Sequence, residues 1–221
     1  RKQQRRRRGA KRRRRRRLSV RKRLPKQAAT EAVVPGGQTL SIVEAAQCLR
    51  DGAVIAYPTE AVYGLGCDPS NEAAVIRVLK LKKRPATAGL ILIADQFDRF
   101  EPFVGALGYG QLDRALASWP GPVTWLFPRG DSVPDWLAGA HNTIALRVTA
   151  HPVCRRLCAG FGGAIVSTSA NPSSAEPART PERVEEYFGE ALAGIVEGAL
   201  GERQQPSEIR DLASGRIVRR G

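Results

Sequence analysis

The stretch AVIAYPTEAVYGLG, residues 53–66, decides the fold class of this 221-residue chain. Its first five residues, Ala53–Tyr57, form a short and nearly continuous apolar run, which is typical of a strand buried on both faces of a sheet. Pro58 is expected to end that strand, and residues 59–71 are expected to form a long loop that contains glycines. A doubly buried strand that leads into a polar loop predicts an α/β protein whose ligand site lies at strand ends.

Apolar runs and helical patterns alternate along the remaining chain, with no internal repeat. This alternation predicts one α/β domain in which helices flank a twisted, mixed sheet. Further strands are expected at residues 90–94, 123–127, 143–148, 164–168, 194–196, 208–212 and 216–219. Helices are expected at residues 40–50, 72–84, 112–118, 151–159 and 181–188.

The positive charge of the chain is concentrated at its N-terminus. The formal net charge is +15, from 36 Lys and Arg residues against 21 Asp and Glu residues. Residues 1–30 hold 17 of the basic residues and no acid, so residues 31–221 carry a net charge of −2. A slightly acidic body excludes the interpretation that the whole chain is a basic nucleic-acid-binding domain.

The same asymmetry predicts the domain boundaries. Residues 1–30 are expected to form a disordered Lys/Arg-rich tail, because runs of like charge repel one another. Residues 31–39 are expected to be a linker, and residues 40–221 the folded domain. The tail is open to three interpretations: a start of the reading frame with no selected role, a segment that contacts RNA without sequence preference, or a targeting segment.

The remaining composition excludes several classes of protein. No stretch of 18 apolar residues occurs, which argues against a membrane span. The first 23 residues are mostly basic and precede no apolar core, unlike a secretory signal. The four cysteines form no disulfide framework, which suits a reducing compartment, and the cytoplasm is the predicted location.

Common nucleotide and metal motifs are missing from the chain. There is no G-x-x-x-x-G-K-[ST] loop, and the glycines at 64 and 66 lack the third glycine of a dinucleotide site. His151, Cys154 and Cys158 share one face of a predicted helix, but small cysteines packed against a core explain that face better than a metal does. No metal site built from protein side chains is predicted.

Polar segments follow several of the predicted strands and one helix. Each has an ordinary explanation when taken alone: cations complement a helix end, hydroxyls turn the chain, and an arginine pairs with a surface acid. Together they supply cations, hydroxyls and an amide but no nucleophile–base pair, so they predict a site that binds anions and a small polar molecule. The segments are residues 57–66, 82–85, 143–147, 167–171 and 207–211, together with Arg219.

Six motifs carry a resemblance to a known family. They are VIAYPTEAVYGLG (54–66), KxRP (82–85), WPGPVT (119–124), LRV (146–148), STSAN (167–171) and SEIRD (207–211). In this order they resemble the YrdC/TsaC family of threonylcarbamoyl-AMP synthases, over about residues 40–221. The chain is most similar to the short, single-domain bacterial form, since nothing follows Gly221 where longer relatives carry a further domain.

The resemblance implies a YrdC-like fold with a concave ligand-binding face and a defined reaction. Members combine L-threonine, bicarbonate or CO₂, and ATP into threonylcarbamoyl-AMP and diphosphate. ATP is then a substrate, and Mg²⁺ is expected on its phosphates. A threonylcarbamoyl transferase complex would pass the group to the adenosine beside the anticodon of tRNA.

The resemblance also implies roles for individual residues. Lys82 and Arg84 are the expected catalytic residues and contact the ATP phosphates, because arginine suits bidentate phosphate contact and lysine acts as a compact charge. The expected ATP-binding residues are Lys82, Arg84, Thr143, Ser169, Asn171 and Arg219. The expected threonine-binding residues are Thr59, Arg147, Ser167 and Ser207.

Three positions depart from the longer relatives. Ala61, Ala88 and Ile93 stand where many of those relatives have Thr, Asn and His, so other groups are expected to complete the pocket.

A binding module for double-stranded RNA or tRNA, without catalysis, is the alternative function. In that case Lys80, Lys82, Lys83 and Arg84 would contact RNA phosphates and the basic tail would extend the surface. The net charge of −2 on the body argues against it.

Overall fold

The computed structural model describes residues 37–221. The predicted tail, residues 1–30, and most of the predicted linker lie outside the described residues. Thr39, at the end of that linker, already belongs to the first strand of the sheet.

Ten strands form one mixed sheet in the described part of the chain, in the order β1-β8-β2-β3-β7-β4-β6-β5-β9-β10. Their bounds are Thr39–Leu40 (β1), Ile55–Pro58 (β2), Tyr63–Gly66 (β3), Ile91–Ala94 (β4), Val123–Pro128 (β5), Thr143–Val148 (β6), Ile165–Ser169 (β7), Ile195–Val196 (β8), Glu208–Asp211 (β9) and Ile217–Arg219 (β10). Parallel pairs such as β4–β6 and β5–β9 stand beside antiparallel pairs such as β3–β7 and β5–β6. The predicted mixed α/β sheet is therefore confirmed.

Three of the α-helices within residues 37–221 begin at a capping side chain. Ser41 and Glu44 form a reciprocal capping box at the first helix, Asn71 caps the second, and Thr180 caps the last with Pro181 at its first position. The helices are Ile42–Arg50 (α1), Glu72–Leu81 (α2), Gln111–Leu116 (α3), Asp135–Ala138 (α4), Pro152–Phe161 (α5) and Pro181–Phe188 (α6). Short 3₁₀ turns occupy Ala86–Ala88, Phe97–Phe103 and Gly189–Ala191.

The apolar core lies on both faces of the sheet. On one face α1 and α5 pack together, with Leu49, Leu157 and Ile93 among the buried residues. On the other face α2 contributes Val75 and Val78 to a larger cluster. No helix within residues 37–221 is long and apolar enough to cross a membrane.

The long loop expected at residues 59–71 was a wrong prediction. The strand β3 lies within it and pairs antiparallel with β2, from Ile55 opposite Gly66 to Pro58 opposite Tyr63. Pro58 is the last residue of β2, so the predicted end of that strand is confirmed. The two glycines that suggested a loop lie in β3, where the Tyr57 ring crosses the hairpin and a Cβ on Gly66 would lie 2.6 Å from its Cε1.

Candidate active site

A cavity of about 350 Å³ gathers most of the predicted site residues. Strand order explains why, because β3, β7, β4 and β6 are successive neighbours in the sheet and β9 lies beyond β5. Segments far apart in sequence therefore meet at one place. Of the ten predicted residues, eight line the cavity: Thr59, Arg84, Thr143, Arg147, Ser167, Ser169, Ser207 and Arg219.

Arg147 lies near the end of β6 and is 6 % exposed. Its Nη1 lies 2.6 Å from Oε2 of Glu60, in the turn between β2 and β3. Burial lowers the pKa of Arg147, and the negative charge and hydrogen bond of Glu60 more than offset that effect. Burial likewise raises the pKa of Glu60, and the charge of Arg147 reverses the shift, so both groups are ionised.

Arg84 follows α2 and is held by the 3₁₀ turn that comes after it. Its Nη2 donates to the carbonyl oxygens of Ala88, at 3.1 Å, and Gly89, at 2.9 Å. Its Nε is enclosed and has no hydrogen-bond partner within residues 37–221. Because burial lowers the pKa of this guanidinium, an anion in the cavity would relieve an unfavourable charge.

Arg219 brings a third guanidinium to the cavity from β10. Its Nη2 donates to the carbonyl oxygen of Ser207 at 2.8 Å. Burial lowers the pKa of Arg219, and the positive charges of Arg84 and Arg147 lower it further. Arg219 therefore lies close enough to Arg84 and Arg147 for their charges to oppose its own, which favours the binding of a negatively charged ligand.

Lys82 and Asn171 do not line the cavity but lie directly behind Ser169. The Nζ of Lys82 donates to the carbonyl oxygens of Ser169 and Asn171, and the amide of Asn171 donates to the carbonyl oxygens of Pro172 and Ala175. Burial, followed by the charge of Arg84, lowers the pKa of Lys82 to about 8. In this arrangement Lys82 holds the turn that presents Ser169 and adds positive charge behind it.

The hydroxyl groups lie on β7 and on the segments beside β2 and β9. Ser167 and Ser169 are two residues apart on β7, so both side chains project from the same face of the strand. Thr59 donates its hydroxyl to the carbonyl oxygen of Val62 at 2.7 Å, inside the hairpin turn. The hydroxyl of Ser207 lies 3.0 Å from that of Thr124.

Sequence reasoning missed Glu60, His141 and Arg203, which also line the cavity. Glu60 stands inside the PTE motif, and an acid at the end of a buried strand was a signal that could have found it. Neither His141 nor Arg203 belongs to a recognisable motif.

The three departures from the longer relatives divide into two groups. Ala61 and Ala88 line the cavity. Ile93 is fully buried in the core against α5 and does not line it, so nothing has to replace a polar side chain there.

The structure also places two other clusters noted in the sequence, the cations of the alternative RNA site and the cysteines of the predicted helix at residues 151–159. Of the four residues in the alternative RNA site, Lys82 is buried and Arg84 lines the cavity, so only Lys80 and Lys83 are exposed. Cys154 and Cys158 lie on the buried face of α5, and all four cysteines are free. Within residues 37–221 no group of three or more His, Cys, Asp or Glu residues is placed to bind a metal ion.

Three arginines, several hydroxyls and one paired carboxylate surround a cavity that lies along the strands of the mixed sheet, since Thr143 and Arg147 line it from opposite ends of β6, so the expectation that the site lies at strand ends was wrong. These features define an α/β domain with a cavity suited to an anionic small molecule. The chain belongs to the Sua5/YciO/YrdC family, whose model, described as telomere recombination, matches residues 47–221. The predicted family and fold are therefore confirmed.

Named relatives and solved structures agree with this assignment. The chain is 53% identical over 180 residues to the threonylcarbamoyl-AMP synthase of Pseudomonas putida, covering 81% of this chain and 97% of the relative. It is 49% identical over 186 residues to the protein of the same name from Halorhodospira halophila, covering 84% and 97%. P. abyssi Sua5 complexed with L-threonine superposes with a TM-score of 0.74 at 29% identity, over 83% of this chain and 55% of that one. E. coli YciO superposes with a TM-score of 0.71 at 25% identity, over 84% and 96%.

Proposed function

We propose that this chain is a threonylcarbamoyl-AMP synthase, which combines L-threonine, bicarbonate or CO₂, and ATP into threonylcarbamoyl-AMP and diphosphate. The observation that carries the proposal is the convergence of Arg84, Arg147 and Arg219 on one hydroxyl-lined cavity. That arrangement suits a reaction between two anions. Relatives that are 51–53% identical over 80–81% of this chain bear the name of that enzyme.

The proposed chemistry needs positioning and charge neutralisation more than a protein nucleophile. The amine of threonine adds to CO₂ and loses a proton, which gives a carbamate. A carbamate oxygen then attacks the α-phosphorus of ATP, and the bond between that phosphorus and the oxygen bridging to the β-phosphorus breaks. Diphosphate leaves with the electron pair, and nearby cations stabilise its charge.

The residues divide between the two substrates. Arg147 is proposed to hold the carboxylate of threonine, with Thr59, Ser167 and Ser207 around the rest of the amino acid. The nucleotide is proposed to lie against Arg84, Thr143, Ser169, Asn171 and Arg219. Lys82 is proposed to add positive charge from behind Ser169 while it holds the Ser169–Asn171 turn. Lys82 and Arg84 remain the proposed catalytic residues.

Mg²⁺ would enter with ATP rather than be held by the protein. Among the described residues Glu60 supplies the one carboxylate that lines the cavity, and Arg147 and Thr149 already occupy its two oxygens. The groups that line the cavity therefore do not fit a metal ion held by the protein itself. When bound to the ATP phosphates, the ion would neutralise part of their charge.

The product is proposed to serve a threonylcarbamoyl transferase complex that modifies the adenosine beside the anticodon of tRNA. This function would place the chain in the cytoplasm with its tRNA substrate. Contact between the basic tail and RNA remains a separate hypothesis, since residues 1–30 lie outside the described part of the chain.

Diphosphate release tests the proposed reaction. Release is expected only when threonine, bicarbonate and ATP are all present, and mass spectrometry should detect threonylcarbamoyl-AMP. Release that does not depend on threonine, or no release at all, would contradict the proposal.

A pair of double variants separates the enzyme from the RNA-binding alternative. Lys82→Ala with Arg84→Ala should abolish turnover, because both cations lie at or behind the cavity. Lys80→Ala with Lys83→Ala removes two exposed cations from the same helix end and is the matched control. If the first pair spared turnover and either pair abolished RNA binding, the binding module would be the better description.

A further inference from the structure

Glu60 and Arg147 line the cavity, and a hydrogen bond continues from Glu60 to Thr149 behind it. Thr149 is fully buried and donates its hydroxyl to Oε1 of Glu60 at 2.7 Å. The other oxygen of Glu60, Oε2, lies 2.6 Å from Nη1 of Arg147. Nothing in the six sequence motifs required this arrangement, because Thr149 follows the LRV motif and lies outside it.

An acid at this position works against the charge of the site. The cavity is lined by Arg84, Arg147 and Arg219, and Glu60 neutralises part of the charge that would attract an anionic ligand. A carboxylate with this electrostatic cost is expected to contribute something else, such as a fixed geometry.

The structure holds Glu60 firmly in place. Its backbone carbonyl accepts a hydrogen bond from the amide of Arg203 at 3.0 Å, and the neighbouring carbonyl of Thr59 accepts one from Gly201 at 2.9 Å. The hydroxyl of Thr149 also accepts from the amide of His151 at 3.1 Å, at the start of α5. Both ends of the chain of side chains are therefore anchored to the fold.

Glu60 uses only one edge of the Arg147 guanidinium. It contacts Nη1, whereas the opposite edge consists of Nε and Nη2, which together match a carboxylate in bidentate geometry. The Nε is enclosed and has no hydrogen-bond partner in the described part of the chain. The guanidinium therefore keeps a donor that the protein does not satisfy.

We infer that Glu60 and Thr149 are positioning residues, which fix the Arg147 guanidinium so that Nη2, which Glu60 does not use, is kept for the carboxylate of the amino-acid substrate. The inference rests on the proposed function, in which that substrate is threonine. Thr149 acts through Glu60, and Glu60 acts through Arg147.

Variants of Thr149 test the inference with little change in shape. Thr149→Val removes the hydroxyl, whereas Thr149→Ser keeps it. Loss of one charge-assisted hydrogen bond predicts that the Kd of threonine, measured by calorimetry on the full chain, rises about tenfold in Thr149→Val. We expect Thr149→Ser to stay within about threefold of the wild type, and the Kd of a non-hydrolysable ATP analogue to be unchanged in both variants.

Variants of Glu60 give a test in which charge and position predict opposite results. Charge alone predicts that Glu60→Ala binds threonine more tightly, because it removes a negative charge from an anion site. Positioning predicts weaker binding in Glu60→Ala and near-normal binding in Glu60→Gln, whose amide oxygen can still accept from Arg147. Glu44→Gln removes a carboxylate from the cap of α1, outside the cavity, and should leave both affinities unchanged.

The outcomes separate this inference from the proposed function. If the wild type does not bind threonine, the proposed function fails. If the wild type binds it and Thr149→Val and Glu60→Ala bind it equally well or more tightly, the positioning inference is overturned while the proposed function stands. An equal loss of threonine and nucleotide binding would also overturn it, because that result indicates general damage. Should Thr149→Val or Glu60→Ala fail to fold, the other variant still decides.

Discussion

Replacing Gly66 by alanine should damage both the sheet and the site. A Cβ at this position would lie 2.6 Å from Cε1 of Tyr57 and 2.8 Å from the carbonyl oxygen of Val166. Tyr57 is fully buried and donates its hydroxyl to that same carbonyl at 3.1 Å, so neither neighbour can move away easily. The added methyl group must therefore push β3 away from β7.

The size of the effect follows from these two contacts. Forcing one methyl group into a packed core costs about 1–3 kcal/mol. Gly66→Ala should therefore lower the free energy of unfolding by about 2 kcal/mol, which corresponds to a fall in Tm of about 4–8 °C for a domain of this size. The affinity for threonine should fall as well, because the displaced strand pairs Gly64 with Ser169 and Leu65 with Thr168 at the cavity.

Urea denaturation followed by tryptophan fluorescence measures the change. Gly160→Ala is the control, because a Cβ there meets no atom of residues 37–221 closer than 3.5 Å and alanine favours the helix α5 by up to about 1 kcal/mol. The steric argument would be refuted if Gly66→Ala unfolded within about 0.5 kcal/mol of the wild type and bound threonine normally.

Three further predictions concern the cations and the N-terminal residues. Burial lowers the pKa of Lys82 from 10.5 to about 8. Between these two pH values Lys82 therefore binds more protons in the unfolded chain than in the folded one. Its contribution to the free energy of unfolding should increase as the pH rises through this range. As the pH rises through about 8, Lys82 loses its positive charge behind Ser169, and the affinity of the wild type for an ATP analogue should decrease. If a Lys82→Arg variant bound the analogue and lost affinity over the same pH range, titration of Lys82 would not be the cause. Arg84→Lys should weaken binding of the analogue by about tenfold, because lysine cannot reproduce a bidentate phosphate contact; an unchanged Kd would exclude that contact. Deleting residues 1–30 should leave diphosphate release within about a factor of two, and a larger loss would assign those residues a role in catalysis.

Local patterns predicted the regular elements of this fold well. The strand at residues 143–148 has the bounds that its apolar run indicated, and the caps at Asn71 and Thr180 begin helices where they were expected. The hairpin strand β3 was missed, because its two glycines are loop signals locally and only the ring of Tyr57 across the hairpin explains them.

The residue types of the site were also predictable, although their contacts were not. Motifs along the chain identified the cations and hydroxyls, and eight of the ten predicted residues line one cavity. Burial of Lys82 behind Ser169 and the pairing of Arg147 with Glu60 depend on strands that are distant in sequence, so no local pattern could have revealed them.

The amino-acid sequence by itself determined the α/β class, the family and the inventory of charged and hydroxyl groups, because these follow from local periodicity and short motifs. Only the tertiary structure decided which of those groups face the ligand and which hold another group in place. The physical reason is that burial and pairing arise where β2, β6 and β7 are brought together, and the free energy of a buried charge depends on the partners that it meets there.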